Sequence, residues 1–479
     1  MLIRAIPYCD PVAAFSGLNS TSPSGLSVLL DSAAAQGARK GISYIAVDPY
    51  RVITATIGGV MIDGQKAACD AFKAIEQELG EIESEADAGP VPFCGGAVGY
   101  FGYELAGLLE CLPPPNKDAF DLPRMVIGFY DCIAAFDHDK KQAWVLSTGR
   151  PETTTAARAH RAETRSEALA QNLAQVSTKL AELEWNKGSS WQAVRGDVEV
   201  KRRITQIIEY IFAGDIYQAN FTQRWQAQRP MGINDFTLYR RLRALSPSPF
   251  AAFLHYAAGA HTEGGHSVVK NISIASASPE RFISLTNRGD VEAHPIKGTR
   301  PRSANPSNDA SLADELRNSV KDRAENLMIV DLLRNDISRV CALGSVEVPR
   351  LCELETFASV HHLVSVVTGK LRSSLGPLDL LRAVFPGGSV TGAPKIRAME
   401  IIHELEEAPR NVYCGCLGWI GFDGAMDMSM VIRTLTITGD TVIAQAGGGI
   451  VADSQPEAEY EESMTKLDPL LCAVSGKRT

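Results

Sequence analysis

The sequence predicts a large fold that mixes α-helices with β-strands. Residues 1–150 alternate short β-rich runs with turn signals, for example SYIAV at 43–47 and VITATI at 52–57. Residues 151–195 carry Ala, Thr, Arg and Glu at helical spacing, which is typical of a solvated helix and a linker. Helical periodicity then alternates with strand-like runs and glycine-rich turns. We therefore expect an N-terminal domain at 1–150, a helical linker at 151–195 and a second domain at 196–475.

The composition narrows the class of protein but not its function. The chain has 479 residues, enough for one large composite domain or two or three ordinary ones. Its net charge of −9 argues against nucleic acid or an anionic membrane surface as a partner, although a small anionic substrate stays open. No apolar run is long enough to span a bilayer, and the ten cysteines include no CxxC pair. We expect reduced thiols, no membrane association and a cytoplasmic location.

Two segments offer pairs of carboxylates on one helical face. Asp322 and Glu325 are three residues apart, and so are Glu459 and Glu462 near the C-terminus. Two such helices could hold one Mg²⁺ through one or two carboxylates and water molecules. Acidic pairs on helices more often simply face solvent, so the residues alone leave both interpretations open.

A lysine stands in an unusual setting in HPIKGT at 294–299. Lys297 lies between an apolar strand-like run and a Gly-Thr turn. If the site is desolvated, burial lowers the pKa of a lysine and yields a neutral amine that can attack carbon. An exposed loop lysine is the competing interpretation.

Polar side chains alternate along 217–222, where Gln218, Asn220 and Thr222 share one face of a predicted strand. Such a face is either the wall of a polar pocket or the exposed side of a half-buried strand.

Glycine-rich runs and a cysteine turn need separate interpretations. The run at 386–395 lacks the lysine spacing of a Walker A loop, whereas the three glycines within 445–454 could present backbone N–H groups to a carboxylate or phosphate. GCLG at 415–418 is similar to the nucleophile turn of glutamine amidotransferases, but no histidine follows His403. We therefore expect Cys416 to be a buried strand cysteine.

Nine segments, in family order between about residues 195 and 470, resemble the chorismate-utilising enzyme family. They are GDIYQANFTQRW, SPSPFAAFL, SPERF, PIKGTRPR, DRAENLMIVDLLRNDISRV, HHLVS, FPGGSVTGAPKIRAMEII, DMSMVIRTLT and AGGGIVADSQPEAEYEES. GGAVGYFGYEL at 95–105 matches more loosely. The resemblance implies an α+β fold, a layered sandwich of two orthogonally packed antiparallel sheets flanked by helices, with chorismate bound in the 196–475 domain.

The resemblance also implies the roles of individual residues. Glu280 would be the general acid and base, and Lys297 would be the nucleophile. The metal site would bind Mg²⁺ through Glu325 and Glu462, with Glu459 and Asp322 as water-linked or outer partners. The residues that the family uses for the substrate correspond to Gln218, Thr299, His362, Tyr413, Arg433, Gly447, Gly448 and Gly449.

Lys297 also distinguishes between branches of the family. Members that aminate carbon 2 of chorismate and eliminate pyruvate have a small residue here, whereas members that aminate carbon 4 carry lysine. The resemblance therefore implies synthesis of 4-amino-4-deoxychorismate for folate, with ammonia from a separate glutamine amidotransferase subunit. Amination at carbon 2 is the alternative. The branch that uses water has a lysine at the position of Gln218, which disfavours that reaction here.

A non-catalytic protein that senses an aromatic amino acid through residues 1–150 is the alternative from another class. The family's tryptophan-binding motif is only approximated by Leu29-Leu30-Asp31-Ser32, with Asp where Glu is usual. The complete set of Glu280, Lys297, Glu325 and Glu462 argues against a protein without activity.

Overall fold

The structure is a computed structural model that describes residues 1–19, 25–33, 41–80, 89–176, 180–258, 270–357 and 360–477. The helices of these ranges are α1 (Pro11–Asn19), α2 (Ala71–Leu79), α3 (Thr155–Gln175), α4 (Asp197–Phe212), α5 (Asp235–Leu245), α6 (Pro306–Asn318), α7 (Val320–Ser338), α8 (Pro377–Val384), α9 (Lys395–Glu406) and α10 (Pro456–Ser475).

The strands of the first half of the chain are β1 (Leu2–Ile6), β2 (Leu26–Asp31), β3 (Ile42–Val47), β4 (Arg51–Thr56), β5 (Gly59–Ile62), β6 (Gln65–Lys66), β7 (Gly96–Phe101), β8 (Met125–Tyr130), β9 (Cys132–Asp137), β10 (Gln142–Ser147), β11 (Trp191–Ala193) and β12 (Gln218–Gln228). Those of the second half are β13 (Phe250–Tyr256), β14 (Ile272–Ser278), β15 (Arg281–Leu285), β16 (Asp290–Ala293), β17 (Ile296–Pro301), β18 (Glu347–Thr356), β19 (Val360–Lys370), β20 (Gly392–Ala393), β21 (Cys416–Gly421), β22 (Met426–Met430), β23 (Thr434–Thr438) and β24 (Thr441–Ile450).

These strands form two 12-stranded sheets. The first has the order β1-β10-β9-β3-β2-β13-β14-β23-β24-β12-β11, with β20 also paired to β12. The second has the order β17-β19-β16-β15-β22-β21-β7-β8-β4-β5-β6, with β18 also paired to β19. Every pairing between these strands is antiparallel. The predicted α+β fold with two antiparallel sheets is confirmed.

Side chains of both sheets meet in a shared core. Val28 and Leu254 of the first sheet and Val98 and Leu417 of the second belong to one buried cluster. Because successive side chains of a strand point to opposite faces, the other faces bury a second set of apolar residues under helices. On the first sheet this outer cluster includes residues of α1, α3, α5 and α10, and on the second it includes residues of α2, α7, α8 and α9.

The two ends of the chain are interleaved in both sheets. Strand β2 lies between β3 and β13, and β7 lies between β8 and β21. Helix α3, in the expected linker, packs on β1, β9 and β10 and buries Leu169 and Leu173. The sequence change at 151–195 is therefore not a boundary between sheets, and the division into two domains stays a prediction.

Several local predictions can be compared with the structure. Helix α4 ends at Phe212, close to Gly214, whose φ of +84° suits glycine. All ten cysteines are free, and Cys416 is fully buried in β21, as predicted. Among the described residues, no helix combines the length and the apolarity needed to cross a bilayer.

Candidate active site

The candidate site lies where an edge of the second sheet approaches β12 and β24 of the first. A Cβ atom placed on Gly449 of β24 would overlap the amide nitrogen of Gln218 and lie 3.3 Å from the Lys297 amine of β17. One placed on Gly448 would lie 3.4 Å from a carboxylate oxygen of Glu459 and 3.9 Å from one of Glu462. The fold thus brings together residues that are far apart in the sequence.

The three glycines lie in strand β24, which corrects the prediction of a glycine-rich turn. Gly447, Gly448 and Gly449 pair with β12. Strand β23 pairs with β24 only up to Ala444. The residues of β24 after Ala444 therefore extend beyond β23 on the edge that does not face β12. In an antiparallel pair, alternate residues direct their N–H groups to opposite edges, so only part of the run can reach a ligand. Because glycine has no side chain, the run leaves room beside the carboxylates of Glu459 and Glu462.

Gln218 begins β12 and is fully buried. Both polar atoms of its amide lack a hydrogen-bond partner among the described residues. Buried amides are nearly always hydrogen-bonded, and leaving one unpaired costs about 1–3 kcal/mol. This amide, beside Gly449 and Lys297, is therefore available to a bound substrate.

Glu280 and Lys297 lie in one polar cluster. Glu280 is 7% exposed, and burial raises the pKa of its carboxyl group to about 7, against the opposing effects of Lys297, a hydrogen bond from the Ser389 hydroxyl and Arg433. Lys297 is half-buried, and its amine lies 3.5 Å from the Ser389 carbonyl oxygen. A carboxyl group with a pKa near neutrality can both donate and accept a proton.

Arg433 lies between β22 and β23 in a left-handed backbone conformation with φ of +50°. That conformation costs a non-glycine residue about 1–3 kcal/mol and is often found at functional sites. Burial lowers the pKa of the guanidinium, and the negative charge of Glu280 acts in the opposite direction. The Arg433 guanidinium therefore lies close enough to Glu280 to interact with it, and it can attract an anionic substrate there.

The four predicted metal ligands come from α7 and α10. Burial, with the charges of Glu459 and Asp322, raises the pKa of Glu325 despite Lys297 and Lys321. Glu459 is almost fully buried and accepts hydrogen bonds from Lys321 at 2.9 Å and from the Ser454 hydroxyl at 2.7 Å.

Glu462 is closer to solvent, with a side chain that is 56% exposed. Its partner is Lys466, at 2.7 Å, whose amine also donates to the Gly447 carbonyl at 2.9 Å. Partial desolvation opposes the charge on Glu462, but Lys466, Lys321 and Lys297 together lower the pKa of its carboxyl group. Lysine ammonium groups thus supply the positive charge between the two acidic helices in this structure.

The four carboxylates of α7 and α10 supply the oxygen ligands that Mg²⁺ prefers. In the described ranges, no three Asp, Glu, His or Cys side chains converge closely enough to hold a metal ion in their present positions. However, Mg²⁺ needs only one or two protein carboxylates and takes its other ligands from water and substrate. Glu325 and Glu459 influence each other electrostatically across the two helices, so a cation there would relieve their repulsion. The Mg²⁺ assignment stays a prediction.

The remaining predicted substrate residues fall in two places. The exposed Thr299 and the buried His362 are paired across β17 and β19, with a hydrogen bond of 2.8 Å between their side chains. Tyr413 lies in a neighbouring buried cluster, where burial raises the pKa of its hydroxyl against the opposing effect of the Arg410 cation. The family resemblance implies that Tyr413 and Arg433 hold the same substrate carboxylate, but no hydrogen bond between described residues joins their side chains.

Leu30, Asp31 and Ser32 of the tryptophan motif line a different cavity, of about 710 Å³, whereas Leu29 belongs to a buried apolar cluster. The Asp31 carboxylate faces Arg243 and accepts hydrogen bonds from Tyr239 at 2.8 Å and from Ser43 at 3.2 Å. Its oxygens are therefore already engaged by the protein. Whether tryptophan binds there stays open.

Sequence reasoning missed Ser389, Arg410 and Lys321. Ser389 lies within the 386–395 glycine-rich run, which we compared only with a phosphate loop. Lys321 directly precedes Asp322, so a basic residue beside a predicted metal ligand was the available signal. Nothing in the sequence alone marks Arg410, whose role depends on contacts with distant segments.

The chain is similar in sequence to known proteins. The family model described as chorismate binding enzyme matches residues 27–472. Aminodeoxychorismate synthase component 1 of Klebsiella aerogenes is 41% identical over 406 residues, which are 85% of this chain and 83% of the relative. Anthranilate synthase component 1 of Bacillus pumilus is 38% identical over 397 residues, 80% of this chain and 74% of the relative.

A solved structure shows the same fold. The crystal structure of anthranilate synthase component I from Streptococcus pneumoniae is 30% identical in sequence and superposes with a TM-score of 0.77. The match covers 91% of this chain and 93% of that one. Sequence, fold and the convergence of the predicted residues lead to the same conclusion: the chain belongs to the chorismate-binding enzyme family.

Proposed function

We propose that this chain aminates chorismate at carbon 4 and forms 4-amino-4-deoxychorismate. The observation that carries the proposal is the position of the Lys297 amine, which shares one cluster with Glu280 and lies beside Gln218 and Gly449. An amine at this position can bond to the ring while a proton donor acts on the leaving group. The relatives named aminodeoxychorismate synthase component 1 also favour this reaction.

Substrate binding relies on charge and on the space beside β24. Arg433 would hold one carboxylate of chorismate, and Gln218 would donate to or accept from the ring substituents with its unpaired amide. The absence of a side chain at Gly448 leaves room for the second carboxylate near α7 and α10. Mg²⁺, held there by Glu325 and Glu462 with Glu459 and Asp322 nearby, would neutralise that carboxylate and withdraw electron density from the ring.

The first chemical step forms a bond between the Lys297 nitrogen and carbon 2. The two conjugated ring double bonds shift, the carbon 4–oxygen bond breaks, and Glu280 gives its proton to the departing hydroxyl, which leaves as water. In the second step ammonia bonds to carbon 4, the two double bonds shift back, and the lysine nitrogen leaves carbon 2 with its electron pair. The Glu280 carboxylate then takes one proton from the new ammonium group. Two displacements of this kind replace one difficult substitution.

Ammonia would come from a partner subunit. The relatives are named component 1, and Cys416, the residue similar to an amidotransferase nucleophile, is fully buried in β21 with the pKa of its thiol raised by burial. A buried thiol with a raised pKa is unsuited to nucleophilic attack. We therefore propose a separate glutamine amidotransferase as the partner. The cytoplasmic location stays a prediction.

Amination at carbon 2 with loss of pyruvate is the alternative, because relatives named anthranilate synthase component 1 are nearly as similar. The decisive experiment incubates the purified chain with chorismate, Mg²⁺ and an ammonium salt, and measures the mass and ultraviolet spectrum of the product. We expect 4-amino-4-deoxychorismate without pyruvate. Release of anthranilate and pyruvate would establish the alternative instead.

A further inference from the structure

A lysine connects the acidic faces of α7 and α10. Lys321 is the second residue of α7, and its amine donates to the Glu459 carboxylate of α10 at 2.9 Å. The same amine lies 4.0 Å from the carboxylate of Glu325, which is one helical turn further along α7. Among the described residues, Lys321 is the one cation that lies within 4.0 Å of carboxylates on both helices. Its amine thus lies between two residues of the predicted metal site.

The other two acidic residues of this site have cations of their own. Asp322 pairs with Arg300 at 3.3 Å, and Glu462 pairs with Lys466 at 2.7 Å. In the described ranges, every ion pair to the remaining two carboxylates comes from Lys321. When no metal is bound, the lysine therefore neutralises charges that would otherwise repel each other across the two helices.

The Lys321 side chain can turn away while the carboxylates stay in place. It is 45% exposed, whereas the side chain of Glu459 is 4% exposed. Glu459 also accepts a hydrogen bond of 2.7 Å from the Ser454 hydroxyl, which would still hold the carboxylate after the lysine had turned toward solvent. The second oxygen of Glu459 lies 3.4 Å from the position of a Cβ atom on Gly448, so it faces the space beside β24. This carboxylate can therefore interact with either an ammonium group or a metal ion.

We propose that Lys321 is a counter-ion that competes with Mg²⁺ for Glu325 and Glu459, an inference that rests on the Mg²⁺ site of the proposed function. An ammonium group and a divalent cation repel each other when both lie at the same partly buried carboxylates. Binding of Mg²⁺ therefore requires the Lys321 amine to move into solvent, where salt screens its charge. The lysine thus keeps the two acidic helices together without a metal and lowers their affinity for one.

The test measures Mg²⁺ binding to the full chain by titration calorimetry without chorismate, and thermal unfolding with and without Mg²⁺. Lys321→Met removes the charge and retains an unbranched side chain. We expect this variant to bind Mg²⁺ about tenfold more tightly than the native chain, because the competing charge is gone. It should also unfold at a lower temperature without metal and gain more stability from Mg²⁺. Loss of a lysine with a purely structural role would not tighten metal binding.

Lys370→Met is the matched control, because Lys370 pairs with Asp290 at 2.8 Å and is 49% exposed at a position outside the site. It should bind Mg²⁺ as the native chain does. Lys321→Arg keeps the positive charge and should also bind Mg²⁺ with nearly native affinity. Lys321→Gln removes the charge but can still donate a hydrogen bond to Glu459, so it replaces Lys321→Met in the test if the methionine variant folds poorly.

The inference is overturned if folded Lys321→Met and Lys321→Gln bind Mg²⁺ no more tightly than the native chain. Absence of measurable Mg²⁺ binding in every variant would overturn it as well. The product that the native chain forms from chorismate tests the proposed function separately, because the titrations contain no chorismate and do not depend on which carbon is aminated.

Discussion

Substituting Gly448 by alanine tests whether the space beside β24 holds the substrate. The new methyl group would lie 3.4 Å from Glu459, 3.7 Å from the Lys466 amine and 3.9 Å from Glu462, which are ordinary van der Waals distances. The folded chain should therefore accept alanine without loss of stability. A substrate carboxylate that needs this space would meet the methyl group.

The expected size of the effect follows from the cost of overpacking. Adding a methylene-sized group to a filled site costs about 1–3 kcal/mol. At 25 °C this corresponds to about a 5- to 150-fold loss in kcat/KM for chorismate, since 1.4 kcal/mol is tenfold. We expect most of the loss in KM, because the methyl group would obstruct the bound substrate as much as the transition state.

Two matched glycine variants provide controls. Gly107→Ala adds the same methyl group where no heavy atom lies within 4 Å, and should behave as the native chain. Gly447→Ala would overlap the Phe221 carbonyl of the paired strand β12, and should lower the unfolding temperature instead. Steady-state kinetics with thermal unfolding separate the three outcomes. If folded Gly448→Ala kept kcat/KM within twofold of the native value, the substrate would not occupy this space.

Two further outcomes test other parts of the site, and a third tests the buried Glu104. Lys297→Ala should lose most formation of the 4-amino product, as followed by mass spectrometry, and full retention would make the lysine a bystander. Glu325→Ala should remove most Mg²⁺-dependent activity while unfolding stays native; unchanged turnover of the native chain in EDTA would refute the metal assignment. Burial raises the pKa of Glu104 to about 7 from its ordinary 4.5, so its contribution to stability is complete below pH 4.5 and is lost as the pH rises to 7. Glu104→Gln should flatten the unfolding temperature between pH 5 and 7, and an unchanged slope would contradict the assigned pKa.

Residues whose chemistry and local spacing identify them could be predicted from the sequence. Lys297 and the i, i+3 carboxylates of α7 and α10 fall in one cluster with Glu280, which only the family resemblance identified, and Gln218 proves to be the polar group that faces it. The resemblance to the chorismate-utilising family decided between the interpretations of these residues that their spacing alone left open. The two antiparallel sheets were likewise predictable at the level of fold class.

Features that depend on contacts between distant segments could not be predicted. Arg410 acts through the carbonyls of Val390 and Asn220, and carbonyl groups leave no sequence signal. Lys321 of α7 was missed as the partner of Glu459 of α10, because this pairing requires both helices to be placed. The three glycines were wrongly predicted to form a turn, since glycine permits a turn without requiring one.

The interleaved strand order has a consequence for synthesis of the protein. A ribosome releases residues 1–195 first, yet β2 and β7 each need a neighbour, β13 or β21, that is translated much later. Until then both strands present unpaired backbone edges, which favour aggregation. We therefore expect a fragment that ends at residue 195 to be insoluble when expressed alone. The nascent chain should depend on chaperones until β21 has left the ribosome.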